Sequence, residues 1–270
     1  VIKVHGSEHL VETENGSEQY DRILIATGAR AFAPPVKGLE PEDAFLMRTV
    51  EDALRFKDRL KKNDIKHAVV IGASMAGIKV VEVLHKYGIE TWLLDLASYI
   101  FPLAAYKEVA KEIEKRVEAQ GVHLMFGVTI DHMEQENGEK TAVLTDGSRI
   151  PADIVGLCIG TRAITETVQG EVEIGRGIVV DDHMRTSVPG IYAAGDCCEG
   201  NNLESGQNQI IGLWANANHQ GETAGINMAG GDMAYKGNIL HNITHFMNMD
   251  FIGFGDNRMQ GEVLEYGSLS

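Results

Sequence analysis

The sequence has 270 residues, of which 44% are hydrophobic and 23% are charged, as in an ordinary folded globular protein. Acidic residues outnumber basic ones by 39 to 24, giving a formal net charge of −15, which argues against nucleic acid or an anionic membrane surface as a partner, because both are bound by clustered Lys and Arg. No apolar run is long enough to span a membrane, and three cysteines fit a reducing compartment, so we predict a cytoplasmic protein.

The first forty positions predict short strands followed by a linker. Two adjacent prolines, Pro34 and Pro35, exclude a helix or a central strand, and the linker is placed around them. The chain opens on what reads as the middle of a strand, and we therefore expect it to be part of a longer polypeptide. The predicted elements are strands at 10–13 and 22–26, which flank a polar turn at 15–17, and a linker at 33–38.

An alternation of strands and helices follows, and it predicts an α/β fold with a parallel sheet that helices cover on both faces. Thr49, with an acid three residues later, has the spacing of a capping box and begins a first helix. In the second helix the predicted buried stripe consists of Ala76, Val80, Val83 and Leu84. The alternating elements are strands at 67–71, 91–94 and 122–126 and helices at 75–87 and 107–120.

The second half of the chain predicts an antiparallel region and further short strands. Asp146 and Gly147 form a strong hairpin-turn signal between two apolar runs. The other predicted elements are strands at 152–159, 177–180 and 191–194, a helix at 213–228, and strands at 242–246 and 251–254.

The turn between the strand at 67–71 and the next helix has Gly-x-Gly-x-x-Gly spacing, with Ser in the second position. Gly72 permits a tight turn, the small Ser74 lets backbone approach a pyrophosphate, and Gly77 lets the helix pack closely on the sheet. The start of the helix offers unpaired N–H groups and a positive dipole to phosphates, and the Ser74 hydroxyl offers a further donor. The residues predicted to bind NAD(H) here are Gly72, Ala73, Ser74, Met75, Ala76 and Gly77.

An acidic residue at the end of the next strand supports this interpretation. Asp95 lies 23 residues after Gly72, close to the spacing of the carboxylate that binds the adenosine ribose. Residues 96–98 contain no Arg or Lys to receive a 2′-phosphate, so we predict NADH rather than NADPH. The alternative is a glycine turn in an α/β domain that binds no ligand.

Two further motifs show a family resemblance. Residues 25–29 read Ile-Ala-Thr-Gly-Ala, and residues 192–196 read Tyr-Ala-Ala-Gly-Asp. With the nucleotide loop and Gly160 between them, their order resembles the FAD- and NAD(P)-dependent pyridine nucleotide-disulfide oxidoreductases. The branch that the chain resembles includes NADH oxidase, coenzyme A-disulfide reductase, rubredoxin reductase and the flavin domain of nitrite reductase. Residues 214–221 also resemble that branch.

The resemblance implies roles for individual residues. Gly160 would line the nicotinamide pocket, Asp196 would hydrogen-bond the ribityl chain of FAD, and the start of the helix near Trp214 would face the flavin pyrimidine. The parent enzyme would transfer a hydride from NADH to FAD and then electrons to an unidentified acceptor, and it would be a homodimer in its full-length form. The residues implied to bind FAD are Thr27, Gly28, Ala29, Gly195, Asp196, Leu213 and Trp214.

The resemblance also implies a domain organisation. A Rossmann-like NAD-binding domain, with a parallel sheet and an antiparallel β-meander, would be inserted between two parts of an incomplete FAD-binding domain, followed by the start of an α+β interface domain. The FAD pyrophosphate loop that the family places before the Ala-Thr-Gly motif is not in the chain, and we expect this polypeptide to hold FAD weakly and to be inactive alone. The predicted segments are 1–37 and 166–230 for the FAD domain, 38–165 for the NAD domain, and 231–270 for the interface domain.

Some residues depart from the family pattern. Lys79 stands where the family has a Glu that touches the nicotinamide carboxamide, and Lys has only donors. Either nicotinamide is held differently, Lys79 meets another group such as an acidic neighbour, or it is a solvated helix residue; Glu82 is a possible substitute. The sequence identifies no catalytic residue, and we predict no metal site. Residues predicted to have packing or structural roles are Cys158, Cys197, Cys198, His241, His245, Met247 and Met249.

Two other functions remain open from the sequence. Ser74 and Lys79 favour a non-catalytic NAD(H)-binding module for redox sensing or interaction, which would keep the fold and lose the chemistry. A flavin-linked structural subunit is the second alternative. NADH-driven dye reduction by the full-length protein separates this subunit from an oxidoreductase, and an intact flavin loop encoded just upstream would favour the enzyme over the module.

Overall fold

The computed structural model describes residues 1–255, 262, 264, 266 and 267. Its first elements are β1 (Lys3–His5), β2 (Leu10–Thr13), β3 (Gly16–Gln19), β4 (Ile23–Ile25), β5 (Ala29–Ala31), β6 (Ala44–Phe45), α1 (Val50–Leu60), β7 (His67–Ile71), α2 (Met75–Lys86), β8 (Glu90–Asp95), α3 (Lys107–Glu118) and β9 (His123–Phe126). Those that follow are β10 (Ile130–Glu136), β11 (Glu139–Leu144), β12 (Arg149–Pro151), β13 (Ile154–Leu157), β14 (Thr161–Ala163), a 3₁₀ turn (Glu166–Val168), β15 (Ile191–Ala193), β16 (Gly200–Asn201), β17 (Asn208–Gln209), α4 (Trp214–Met228), β18 (His241–Phe246) and β19 (Met249–Phe254).

The chain divides into two compact units. The flanking unit contains Val1–Arg30 and Thr161–Leu240, and the central unit contains Ala31–Gly160 and His241–Ser270. The predicted domain boundaries at 37, 165 and 230 stay predictions about which segments bind which cofactor.

The central unit is built on a five-stranded parallel sheet with the order β6-β13-β7-β8-β9. Buried residues on one face, such as Val70 and Leu93, pack against α1, α2 and α3. Residues on the opposite face, such as Val69 and Leu94, pack against the antiparallel meander β10-β11-β12. The prediction of helices on both faces is therefore wrong, because the apolar side of the meander covers the second face.

Local signals predicted several elements correctly. Thr49 and Asp52 form the capping box of α1, in which each side chain accepts the backbone N–H of the other residue. The predicted buried stripe of α2 is half right. Val80 and Leu84 are buried, but Ala76 and Val83 are exposed, because these two lie seven residues apart on the outward side of the helix.

The flanking unit contains short strands and α4. Its antiparallel sheet has the order β1-β2-β3, while β4 pairs in parallel with β15. The turn at 15–17 therefore leads into β3, and not directly into the strand predicted at 22–26, because β3 supplies the antiparallel partner of β2. The strand predicted at 177–180 is reduced to isolated bridges from Ile178 to Ile174 and Cys198.

The hairpin β18–β19 belongs to the central unit and packs against α2. Phe246 is fully buried and meets Phe101 edge to face, with ring centroids 5.4 Å apart. The backbone N–H of Met247 donates to the carboxylate of Glu82 at 3.3 Å. The segment 231–270, predicted to begin an interface domain, thus contributes, within its described residues, a hairpin that is anchored to α2.

We expect the free energy of unfolding to fall in acid because Glu82 becomes protonated. Burial opposes its ionisation, but hydrogen bonds from Lys79 (2.8 Å) and Lys86 (3.1 Å) outweigh burial and lower the pKa of Glu82 to about 2 from 4.5. Because the folded-state pKa is the lower one, this stabilisation is complete above pH 4.5 and is lost as the pH falls towards 2. The Glu82→Gln variant should lose about 2 kcal/mol of unfolding free energy at neutral pH and depend less on acid, as measured by urea unfolding at several pH values. Glu112→Gln, which removes an exposed pair, is the control, and an equal loss in both variants would contradict the prediction.

Candidate functional site

The turn from β7 into α2 leaves no space for side chains at two of its glycines. Gly72 has φ +106°, and a Cβ there would lie 2.3 Å from the carbonyl oxygen of Cys158. A Cβ on Gly77 would lie 1.9 Å from the carbonyl oxygen of Gly72. The glycines that the sequence singled out therefore allow the backbone of the turn, the start of α2 and β13 to approach closely.

Ser74 is the N-cap of α2. Its hydroxyl accepts the N–H of Gly77 at 3.4 Å and donates to the carbonyl of Cys158 at 3.1 Å. The hydroxyl hydrogen is thus directed at the protein, and not at a phosphate as the sequence had suggested. Within the described residues, the N–H groups of Ser74, Met75 and Ala76 have no acceptor. Three unpaired donors at the positive end of a helix form a cradle for an anion.

Asp95 lies half-buried at the carboxyl end of β8, beside this cradle. One carboxylate oxygen accepts the N–H of Ala73 at 2.7 Å, and the other accepts the N–H of Ala97 at 2.8 Å. A carboxylate has about four acceptor positions, so two remain for a diol. Asp95 therefore holds the turn in place through these two hydrogen bonds, which the sequence spacing did not predict. Its role towards ribose stays a prediction.

The two residues predicted near nicotinamide have backbone or side-chain partners in the central unit. Gly160, with φ +100°, accepts the N–H of Phe32 through its carbonyl at 2.9 Å. The Lys79 ammonium donates to Glu82 at 2.8 Å and to the carbonyl of His245. The roles of Gly160 and Lys79 towards nicotinamide stay predictions.

In the flanking unit, the two family motifs meet at one edge. Because β4 and β15 pair in parallel, the residues that follow them, 27–29 and 195–196, emerge on the same side. The Thr27 hydroxyl donates to the carbonyl of Ile164 at 2.5 Å, and the N–H of Ile164 donates to the carbonyl of Gly28 at 2.9 Å. Gly195 has φ +84°, which turns the chain sharply before the half-buried Asp196.

The start of α4 lies beside this edge. A Cβ on Gly212 would come within 3.8 Å of the Asp196 carboxyl carbon. Leu213 is the N-cap and provides no side-chain hydrogen bond, and Trp214 is 88% exposed. In the described part of the chain, the N–H groups of residues 214–216 have no acceptor. The start of α4 can therefore donate to a negatively charged group.

Reasoning from the sequence missed Gln220. This side chain is fully buried in α4, and its carbonyl oxygen accepts the N–H of Gly195 at 2.8 Å, which holds the turn of the second motif. Its amide nitrogen has no hydrogen-bond partner among the residues that the structure describes. A signal was present in the sequence, because polar side chains recur at helical spacing and form the buried stripe of α4: Asn216, Gln220, Thr223 and Asn227.

All three cysteines are free and buried. The thiol of Cys197 points at the carbonyl oxygens of Ile25 and Ala194, each at 3.3 Å. Coupling between the two neighbouring thiols lowers the pKa of Cys197 and raises the pKa of Cys198, which burial raises further. Burial raises the pKa of Cys158 to about 12, which fits its predicted place in the core.

Among the helices of the described residues, none combines the length and the apolar character needed to cross a membrane.

Comparison with known proteins assigns the chain to a family. The family model described as pyridine nucleotide-disulphide oxidoreductase matches residues 1–221. An NADH oxidase of Methanocaldococcus jannaschii is 30% identical over 213 residues, which are 78% of this chain and 47% of that protein. The chain spans about half the length of several curated relatives that it matches.

Solved structures agree with this assignment. Reduced CoADR-RHD of Bacillus anthracis is 29% identical with a TM-score of 0.87, covering 96% of this chain and 48% of that one. The NAD-dependent persulfide reductase of A. fulgidus is 28% identical with a TM-score of 0.83, covering 91% of this chain and 46% of that one. The predicted fold class is confirmed, and so are NAD(H) and FAD as the cofactors of the family. The chain belongs to the pyridine nucleotide-disulphide oxidoreductase family.

Proposed function

We propose that this chain provides the NAD(H) site of an NADH-dependent flavoprotein oxidoreductase, which transfers a hydride from NADH to FAD and electrons to an acceptor still to be identified. The observation that carries the proposal is the cradle at the start of α2. Three N–H groups, of Ser74, Met75 and Ala76, lack acceptors in the described structure, beside two glycines where no Cβ fits.

The cradle fits a dinucleotide. The unpaired N–H groups and the helix dipole would hold the pyrophosphate, and the tight backbone at Gly72 and Gly77 gives the close approach that a pyrophosphate needs. The free acceptor positions of Asp95 would take the ribose diol. Gly160 and Lys79 are the proposed neighbours of nicotinamide.

The flanking unit fits part of FAD. Residues 27–29 would lie near the adenosine side, and Gly195 would let the ribityl chain approach Asp196. The N–H groups and dipole at the start of α4, near Leu213 and Trp214, would stabilise negative charge on the flavin.

When bound, NADH and FAD supply the hydride donor and acceptor. The residues of the chain would bind and orient these two cofactors. No side chain is therefore assigned a catalytic role. Alignment of two bound reactants is itself a large contribution to rate. The proposed full-length enzyme is a homodimer.

A non-catalytic NAD(H)-binding module is the second candidate. Two observations favour it, because the Ser74 hydroxyl donates to Cys158 and the Lys79 ammonium to Glu82 and a backbone carbonyl. The Ser74 hydroxyl and the Lys79 ammonium thus make hydrogen bonds within the protein. Neither bond requires a reacting substrate, and this is compatible with a module that binds NAD(H) without catalysing a reaction.

Anaerobic flavin reduction tests the proposal. The 270-residue chain is mixed with excess FAD, since we predict weak FAD binding, and NADH is added while the flavin absorbance is followed. Although we expect the chain to be inactive without added FAD, under this excess of FAD, NADH should bleach the flavin faster than it does in a matched solution without protein. NADH binding by fluorescence without bleaching would favour the module, and absence of NADH binding would contradict both functions.

A further inference from the structure

Helices α1 and α2 leave an apolar groove on the surface of the central unit, away from the first turn of α2. Its cavity volume is about 360 Å³. The floor consists of Phe56, Leu60 and Val80, each at most 4% exposed, and Val83 and Tyr87 form part of the wall. A volume and lining of this kind are typical of sites for small apolar molecules.

Part of the wall of the groove is itself exposed apolar surface. Val83 and Tyr87 on α2 are 36% and 48% exposed. Exposed apolar surface at a groove is typical of a place where a ligand or partner binds.

Two lysines line the groove, and they indicate the charge of its occupant. The Lys57 ammonium makes no hydrogen bond or salt bridge with any residue that the structure describes, although the Lys57 carbonyl accepts the N–H of Lys61. Lys79 uses two of its three donors, for Glu82 and the carbonyl of His245, and keeps the third. Because Glu82 already pairs with Lys79, the positive charge available to an occupant comes from Lys57, and it makes this apolar groove complementary to an anion on an apolar body.

We propose that this α1–α2 groove binds a single-chain carboxylate, with the hydrocarbon chain on the floor and the carboxylate at Lys57. The apolar floor excludes an occupant that is polar along its length, because polar groups buried there would lose their hydrogen bonds to water. Lys57 selects the acid over a neutral molecule of the same length. The inference does not depend on the proposed oxidoreductase activity.

Binding of dodecanoate by the 270-residue chain tests this site. Titration calorimetry below the micelle concentration should show saturable binding of one dodecanoate, and about tenfold weaker binding of dodecanol. Val83→Trp should abolish binding, because the indole fills the groove from an exposed position. Lys57→Glu should weaken binding at least tenfold, and Lys62→Glu, an exposed lysine outside the groove, should leave it unchanged.

Several results would overturn the proposal. They are a lack of saturable dodecanoate binding, equal affinity for dodecanol, or unchanged affinity in Lys57→Glu. If Val83→Trp alters only the mass of the chain in solution, the groove is an interface between copies, and the proposal fails. Far-ultraviolet circular dichroism checks that each variant is folded, and Ala53→Trp, at another exposed lining position, replaces Val83→Trp if that variant does not fold.

Discussion

The Gly77→Ala substitution is expected to weaken NADH binding by about a hundredfold, although it adds a single methyl group. The new Cβ would lie 1.9 Å from the carbonyl oxygen of Gly72, a distance that no relaxation of a side chain can relieve, since the atom it meets is backbone. Either the turn or the start of α2 must move. Both movements displace the unpaired N–H groups of the cradle. The same strain should lower the unfolding free energy by about 2 kcal/mol.

Gly225→Ala is the matched control for this experiment. Gly225 is also inside a helix, α4, but a Cβ there meets no atom within 4 Å. Alanine should therefore raise the unfolding free energy by about 0.5–1 kcal/mol through its higher helix propensity and leave NADH binding unchanged. Fluorescence titration and urea unfolding measure the two effects. Native NADH affinity in Gly77→Ala would show that the turn does not hold the dinucleotide.

The second large effect is expected at Asp95, which we predict to set the preference for NADH over NADPH. Its charge would face the additional phosphate of NADPH, and residues 96–98 contain no cation to neutralise that phosphate. In Asp95→Ala, the ratio of NADH to NADPH affinity should fall by about 30-fold, equivalent to about 2 kcal/mol. NADH affinity itself should also fall, because the N–H groups of Ala73 and Ala97 lose their acceptor.

Titrations with both nucleotides separate these two effects. Asp95→Asn keeps a carbonyl acceptor for one of the two N–H groups but removes the charge, so it should change the ratio as much as Asp95→Ala with a smaller loss of NADH affinity. Asp146→Ala is the control, because Asp146 also accepts backbone N–H in an exposed turn. Preference of the unchanged chain for NADPH, or an unchanged ratio in both variants, would remove the assignment of Asp95.

Features decided within a few residues could be predicted from the sequence. The capping box at Thr49, the hairpin turn at Asp146 and the strand–glycine–helix order at Gly72 all depend on neighbours along the chain. The hydrogen bonds of the capping box and of the hairpin turn close over two to four residues, so composition and spacing determine these two features. The predicted positions of α2 and α4 agree with the structure within one residue at each end.

Other parts of the candidate site depend on pairing between distant segments. Residues 27–29 meet 195–196 because β4 pairs with β15, and Gln220 holds the second motif from a different element. The family resemblance of the two motifs predicts that both segments bind FAD. It does not predict which backbone atoms of the two segments meet.

The sequence by itself determined the helices, the glycine turn and the family to which the chain belongs. The tertiary structure alone decided that the meander, and not a helix, covers the second face of the sheet, and that Val83 faces outward. It also decided that the Asp95 carboxylate accepts the N–H of Ala73. The physical reason is that periodicity shows how many faces of an element are apolar, whereas the surface that buries each face depends on contacts between segments far apart in the chain.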